Sequence, residues 1–98
     1  MSRAATAESL TASRQASPDQ VIRELVGGNV RRARELCGWN QRELADHLDV
    51  EPPQVSLWEN GRKQPSAQSL MKIASVTGHA YGWFFSEHAE PEPVTPAP

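Results

Sequence analysis

Residues 40–66 read NQRELADHLDVEPPQVSLWENGRKQPS, and the stop and start signals inside this stretch decide the fold. Asn40 is a helix N-cap, and Glu43, three residues on, stands where a capping box needs a carboxylate. Leu44, Ala45 and Leu48 then fall on one helical face. Asp49-Val50-Glu51 makes a short turn, after which Pro52-Pro53 open another helix. Two prolines are tolerated there because the N–H groups of a first turn have no helical acceptor. Val55 and Trp58 face inward, and Asn60-Gly61 stops the helix. Two short helices joined by a tight turn have the layout of a helix-turn-helix, although periodicity alone does not separate it from other small helical bundles.

Working outward, Ser17-Pro18-Asp19-Gln20 starts a helix: an N-cap, a proline at the first helical position, an acidic residue and a capping-box glutamine. This helix is expected from Pro18 to about Cys37, with an apolar stripe of Ile22, Val26, Val30, Ala33 and Cys37. Gly27-Gly28 weakens it by roughly 1 kcal/mol per glycine relative to alanine, leaving a kink or break there open. Gly38 ends it. Downstream, Ser66 caps a fourth helix whose face is Leu70, Ile73, Ala74 and Thr77 and whose end is Gly78. A short fifth helix is expected from about Ala80 to Ser86, carrying Trp83, Phe84 and Phe85. Successive helical side chains are about 100° apart, so these three aromatics cannot all enter one core, and at least one is left to a second surface. Sustained two-residue alternation is absent, so no sheet is expected.

The flanks differ in composition. Residues 1–16 are mainly Ala, Ser and Thr and are expected to form a disordered arm. Residues 89–98 are rich in Pro and Glu and are expected to form an extended solvated tail. One domain, residues 17–88, lies between them. With 38% apolar and 22% charged residues, the chain reads as soluble and globular. No membrane span or secretory leader is evident. The single cysteine, Cys37, excludes an intrachain disulfide and is expected to be a small buried hydrophobe. A cytoplasmic, nucleoid-associated location follows. The net charge of −2 is unusual for a protein that meets a polyanion. The acidity is concentrated in the tail, however: residues 20–86 hold eight Lys/Arg and seven Asp/Glu, whereas 87–98 hold Glu87, Glu90 and Glu92. A near-neutral core binds nucleic acid only if its cations gather on one face.

The stretch from Asn40 to Ala45, then Leu48-Asp49-Val50, then Gln54 to Ser66, with Leu70, Lys72-Ile73-Ala74 and Trp83, resembles the Cro and lambda-repressor type of helix-turn-helix, the XRE-like family. The likeness covers about residues 29–86. It implies an all-α, five-helix lambda-repressor-like domain whose third helix enters the major groove of double-stranded DNA while the second crosses the backbone. By family position Gln41 touches a phosphate, with Arg42 as its neighbour. Pro52, Pro53, Gln54, Ser56 and Leu57 stand where base edges are read. Asn60, Arg62 and Lys63 meet backbone phosphates, and Arg34 and Glu59 match a family pair linking the first helix to the end of the third.

Physical chemistry supports these roles separately. A helix N-terminus suits an anion. Glutamine pairs bidentately with adenine, a serine hydroxyl donates or accepts, and Leu57 and Pro53 pack on a thymine methyl. Pro52, Pro53 and Leu57 depart from polar family members, so direct readout is expected to be sparse, and Glu51 places an anion near the phosphate path. A sequence-specific transcriptional regulator, a repressor acting as a homodimer, is the reading, because one short helix with few polar readers contacts too few base pairs to specify a site. The alternative is a protein-interaction module on the same fold, such as an antitoxin or regulatory subunit, which the apolar Pro52, Pro53 and Leu57 favour. His47, His79 and His88 lack metal-ligand spacing, Gly27-Gly28 lacks the spacing of a phosphate loop, and no nucleophile and base are paired. No enzyme activity, metal or cofactor is therefore expected.

Overall fold

A computed structural model describes residues 17–88. The arm and tail expected at 1–16 and 89–98 lie outside the described residues. Four α-helices follow one another: α1 (Pro18–Leu36), α2 (Gln41–Leu48), α3 (Pro52–Glu59) and α4 (Ala67–Thr77), with a 3-10 turn at Tyr81–Phe85. The expected fifth helix is thus this single 3-10 segment. Gly78 leaves α4 at φ 79°, and the backbone is extended at both Ala80 and Ser86. Only five residues remain between those extended flanks, short enough for the tighter 3-10 winding. No strand occurs among the described residues, and none of their helices is long and apolar enough to cross a membrane.

Local chemistry fixes the helix ends. The Ser17 hydroxyl accepts from the Gln20 N–H at 3.0 Å, and Pro18 and Asp19 fill the first turn of α1. At α2 the capping box is complete. The Asn40 side chain accepts from the Glu43 N–H, and the Glu43 carboxylate accepts from the Asn40 N–H, both at 2.8 Å. Ser66 caps α4 through the Ser69 N–H at 3.0 Å. The turn between α2 and α3 is made by Asp49, which adopts a left-handed conformation (φ 60°, ψ 46°). Aspartate tolerates this region better than most side chains, and the bend lets the Val50 N–H reach back to the Ala45 carbonyl at 3.0 Å.

One core runs through all five elements. Val26, Val30 and Ala33 of α1 meet Leu44, Ala45 and Leu48 of α2, Val55 and Trp58 of α3, Leu70 and Ile73 of α4, and Phe84. Burying each large aliphatic or aromatic side chain contributes roughly 1.5–3 kcal/mol, so Phe84, the largest fully buried one, fastens the 3-10 turn to the helices. The expected division of the three aromatics holds: Phe84 is fully buried, Trp83 is half-buried and Phe85 is 41% exposed. Trp83 stacks between the rings of His79 and His88, with centroids 4.0 and 4.2 Å away. Buried Asn29 donates to the carbonyls of Phe84 at 2.9 Å and Ser86 at 2.8 Å, holding the same segment from α1.

Two residues of the expected α1 stripe, Ile22 and Cys37, are not buried as expected, and the question left open at Gly27-Gly28 is answered. Ile22 is 46% exposed rather than part of the core, because residues 17–22 run beyond the elements that cover Val26 and its successors. The helix also passes Gly27-Gly28 without interruption. Gly27 serves another purpose: a Cβ at this position would collide with the Trp58 carbonyl oxygen. The glycine lets α1 and α3 approach backbone to backbone. Cys37 is only half-buried, its Sγ 3.8 Å from the Thr77 carbonyl oxygen.

Candidate nucleic-acid interface

The orientation of α3 is set from below by ion pairing. Glu59 ends the helix buried, and Arg34 of α1 grips its carboxylate with two bonds, Nε to Oε2 at 2.7 Å and Nη2 to Oε1 at 3.0 Å. The third guanidinium nitrogen donates to the Trp39 carbonyl at 2.8 Å. This planar fork satisfies a buried carboxylate as a lysine could not. The Glu59 carboxylate holds the Arg34 guanidinium above its ordinary pKa despite the opposing effect of burial, so the guanidinium is charged throughout the physiological range.

Gln41 belongs to the same network. Its Nε2 donates to Glu59 Oε1 at 3.0 Å. The side chain named as a phosphate contact thus gives one of its two amide hydrogens to the protein while the residue stays half-buried. As first residue of α2, Gln41 still carries a backbone N–H with no helical acceptor, as does Arg42. Arg42 is exposed beside it. The carboxylate thus joins α1, α2 and α3, fixing the angle between the two helices of the motif.

On α3, Val55 and Trp58 point into the core while Pro53 and Leu57 are exposed and Pro52, Gln54 and Ser56 are half-buried. Not every polar group on this outer side is free. The Ser56 hydroxyl accepts from the Asn60 Nδ2 at 3.3 Å. Gln54 Oε1 is covered and has no hydrogen-bond partner, a state that costs about 1–3 kcal/mol and is relieved if the side chain turns outward to a donor. Beyond α3, Asn60, Arg62 and Lys63 are exposed in a loop. That loop is tied back by the Arg62 N–H to the Leu57 carbonyl at 2.9 Å and by Arg23 Nε to the Gly61 carbonyl at 3.2 Å. The named residues therefore fall into an α2 start, an outer α3 face and a following loop. Acidic Glu43, Asp46, Asp49 and Glu51 are exposed along the α2 side.

Gly27, Arg23 and the Gln41–Glu59 bond were missed in reading the sequence for the site. A partial signal existed: positions 23, 27 and 34 lie at four- and seven-residue spacing, one face of α1. The glycine sits between two arginines on the side that meets α3.

Helices α2 and α3, their left-handed turn and the α1 support define a helix-turn-helix unit. The chain belongs to the helix-turn-helix family of the XRE type, which it matches over residues 30–83. No curated protein matches it. Among solved structures it is similar to the clp gene regulator ClgR from Corynebacterium glutamicum in two crystal structures. Both are 32% identical over 64% of this chain, at TM-scores of 0.61 and 0.62, covering 82% and 67% of the respective ClgR chains. It is also similar to the hypothetical transcription factor NHTF from Neisseria, at 26% identity and a TM-score of 0.65 over 74% of this chain and 83% of that one.

Proposed function

We propose that this chain is a DNA-binding transcription regulator that places α3 in the major groove of duplex DNA and acts as a repressor in homodimeric form. The observation that carries the reading is a helix-turn-helix with exposed cations where α2 begins and α3 ends: Arg42 beside Gln41, whose amide bonds Glu59 at the end of α3, and Arg62-Lys63 in the loop that follows. Gln41, Arg42, Asn60, Arg62 and Lys63 are assigned to phosphates. Pro52, Pro53, Gln54, Ser56 and Leu57 are assigned to base edges. The DNA-binding unit is residues 17–88, working in the cytoplasm at the nucleoid. The names of the similar structures, a gene regulator and a transcription factor, support the class. Tyr81 and Phe85, exposed with ring centroids 5.4 Å apart, are the surface assigned to the second subunit.

One observation favours a second reading. Pro53 and Leu57 are apolar and exposed, and Glu51 is an exposed anion at the start of α3, a surface that also suits a protein partner. Titration of random-sequence duplex at several salt concentrations separates the two. Binding that weakens steeply with salt supports DNA, since neutralised phosphates release counterions. A folded chain that ignores duplex at low salt favours the protein partner.

A further inference from the structure

Helix α1 begins ahead of the span that matches the family, and its early turns pack on the loop that follows α3. Gly61 in that loop is buried at a left-handed φ of 70°, and a Cβ there would stand 2.8 Å from Glu24 Cγ and 3.2 Å from Glu24 Cα. The peptide joining Gly61 to Arg62 is held at both edges. The Arg62 N–H donates to the Leu57 carbonyl of α3 at 2.9 Å, and the Gly61 carbonyl accepts from Arg23 Nε at 3.2 Å. The Arg23 guanidinium therefore sits at the backbone from which Arg62 and Lys63 project.

Nε supplies one of the five N–H donors of a guanidinium. Among the described residues the two terminal nitrogens of Arg23 make no hydrogen bond and no ion pair. Of the α1 carboxylates close to it in sequence, Glu24 accepts from Gln20 Nε2 at 3.1 Å, and Asp19 lines a cleft with Ile22, Arg23 and Gln64 without pairing. Arg62 and Lys63 likewise have no carboxylate partner among the described residues, whereas Arg31 and Arg34 are both paired to glutamates. Three unpaired cations around one loop repel one another, and an anion that meets all three removes that cost.

We propose that Arg23 is a further phosphate contact: Nε holds the Gly61 carbonyl while the terminal nitrogens donate to the stretch of DNA backbone met by Arg62 and Lys63. The inference rests on the DNA-binding reading above. A planar fork serves a carbonyl and a phosphate at once, and an ammonium is a point charge without that fork. The interface thus extends from the helix-turn-helix onto α1, to a residue ahead of the matched span 30–83. It lies at the end of α3 and away from its start, where Glu51 is an exposed anion.

The test measures binding of the full chain to random-sequence duplex at several salt concentrations for wild type, Arg23→Gln and Arg23→Lys. Arg23→Gln keeps an amide donor and removes the charge. Its salt slope is smaller than that of wild type by about one unit, the loss of one phosphate contact. Arg23→Lys keeps the charge and the wild-type slope. Thermal unfolding of both variants is followed in parallel, because a residue that only braces the loop changes the unfolding midpoint and leaves the slope in place. A wild-type slope for Arg23→Gln, or an equal loss of slope in the two variants, overturns the assignment while the DNA-binding reading stands. If the wild type itself does not bind duplex at low salt, the DNA-binding reading falls, and the Arg23 assignment with it.

Discussion

Gly27 in the middle of α1 lies against the carbonyl oxygen of Trp58 in α3, at a separation that leaves no room for a side chain. Its neighbour Gly28 faces open space, with nothing within 4 Å of an added Cβ. The two glycines are adjacent in one continuous helix and share its conformational cost, but only the first has a packing reason to be there.

Opposite responses to alanine follow. Gly28→Ala stabilises the fold by about 0.5–1 kcal/mol, the helix-interior preference for alanine. Gly27→Ala destabilises it by about 1–3 kcal/mol as α1 and α3 are forced apart. Chemical denaturation of the two variants checks this. A Gly27→Ala midpoint at or above the wild-type value would show that the helices approach less closely than described.

Breaking the Arg34–Glu59 pair has a larger effect. Arg34→Ala leaves the Glu59 carboxylate buried with only the Gln41 amide, and removing one partner of such a pair costs about 3–5 kcal/mol. Gln41→Ala removes one neutral donor to a charged acceptor and costs about 1.5–3 kcal/mol at most. Thermal unfolding should order them wild type, Gln41→Ala, Arg34→Ala from most to least stable. Equal midpoints for Arg34→Ala and wild type would contradict the role of the pair.

The 3-10 turn offers a test confined to one end of the molecule. Phe84→Ala empties a fully buried site and costs about 3–5 kcal/mol. Phe85→Ala leaves the monomer's stability within about 0.5 kcal/mol and, if the exposed aromatics join two subunits, shifts the sedimenting species from dimer to monomer. A dimeric wild type whose mass is unaffected by changes at Tyr81 and Phe85 places the subunit contact elsewhere.

What was legible in the sequence was local. Asn40 with Glu43, Ser17 with Gln20, and the ends at Gly38 and Gly78 depend on residues within a few positions of one another. Their caps and left-handed conformations stand as the residue types require, except that the Gln20 side chain donates to the Glu24 carboxylate at 3.1 Å instead of closing a capping box on Ser17. Arg34–Glu59 spans 25 positions and was legible only through resemblance to a family. Contacts without such a precedent were hidden. Gly27 and Trp58 meet across two helices, and the Gln41 amide turns to Glu59 because Arg34 has already brought that carboxylate there. Ile22 shows the limit of periodicity: its place in the stripe is correct, but a stripe does not say where a helix outruns the elements that cover it.

The central claim, that the helix-turn-helix meets the phosphates of duplex DNA through its flanking cations, is tested most directly by the salt dependence of duplex binding for wild type and Lys63→Ala. The affinity of both should fall linearly on logarithmic axes as salt rises, and the slope for Lys63→Ala should be smaller by about one unit, the signature of one lost phosphate contact. A wild type that does not bind duplex at low salt, or a Lys63→Ala slope identical to wild type, would contradict the account.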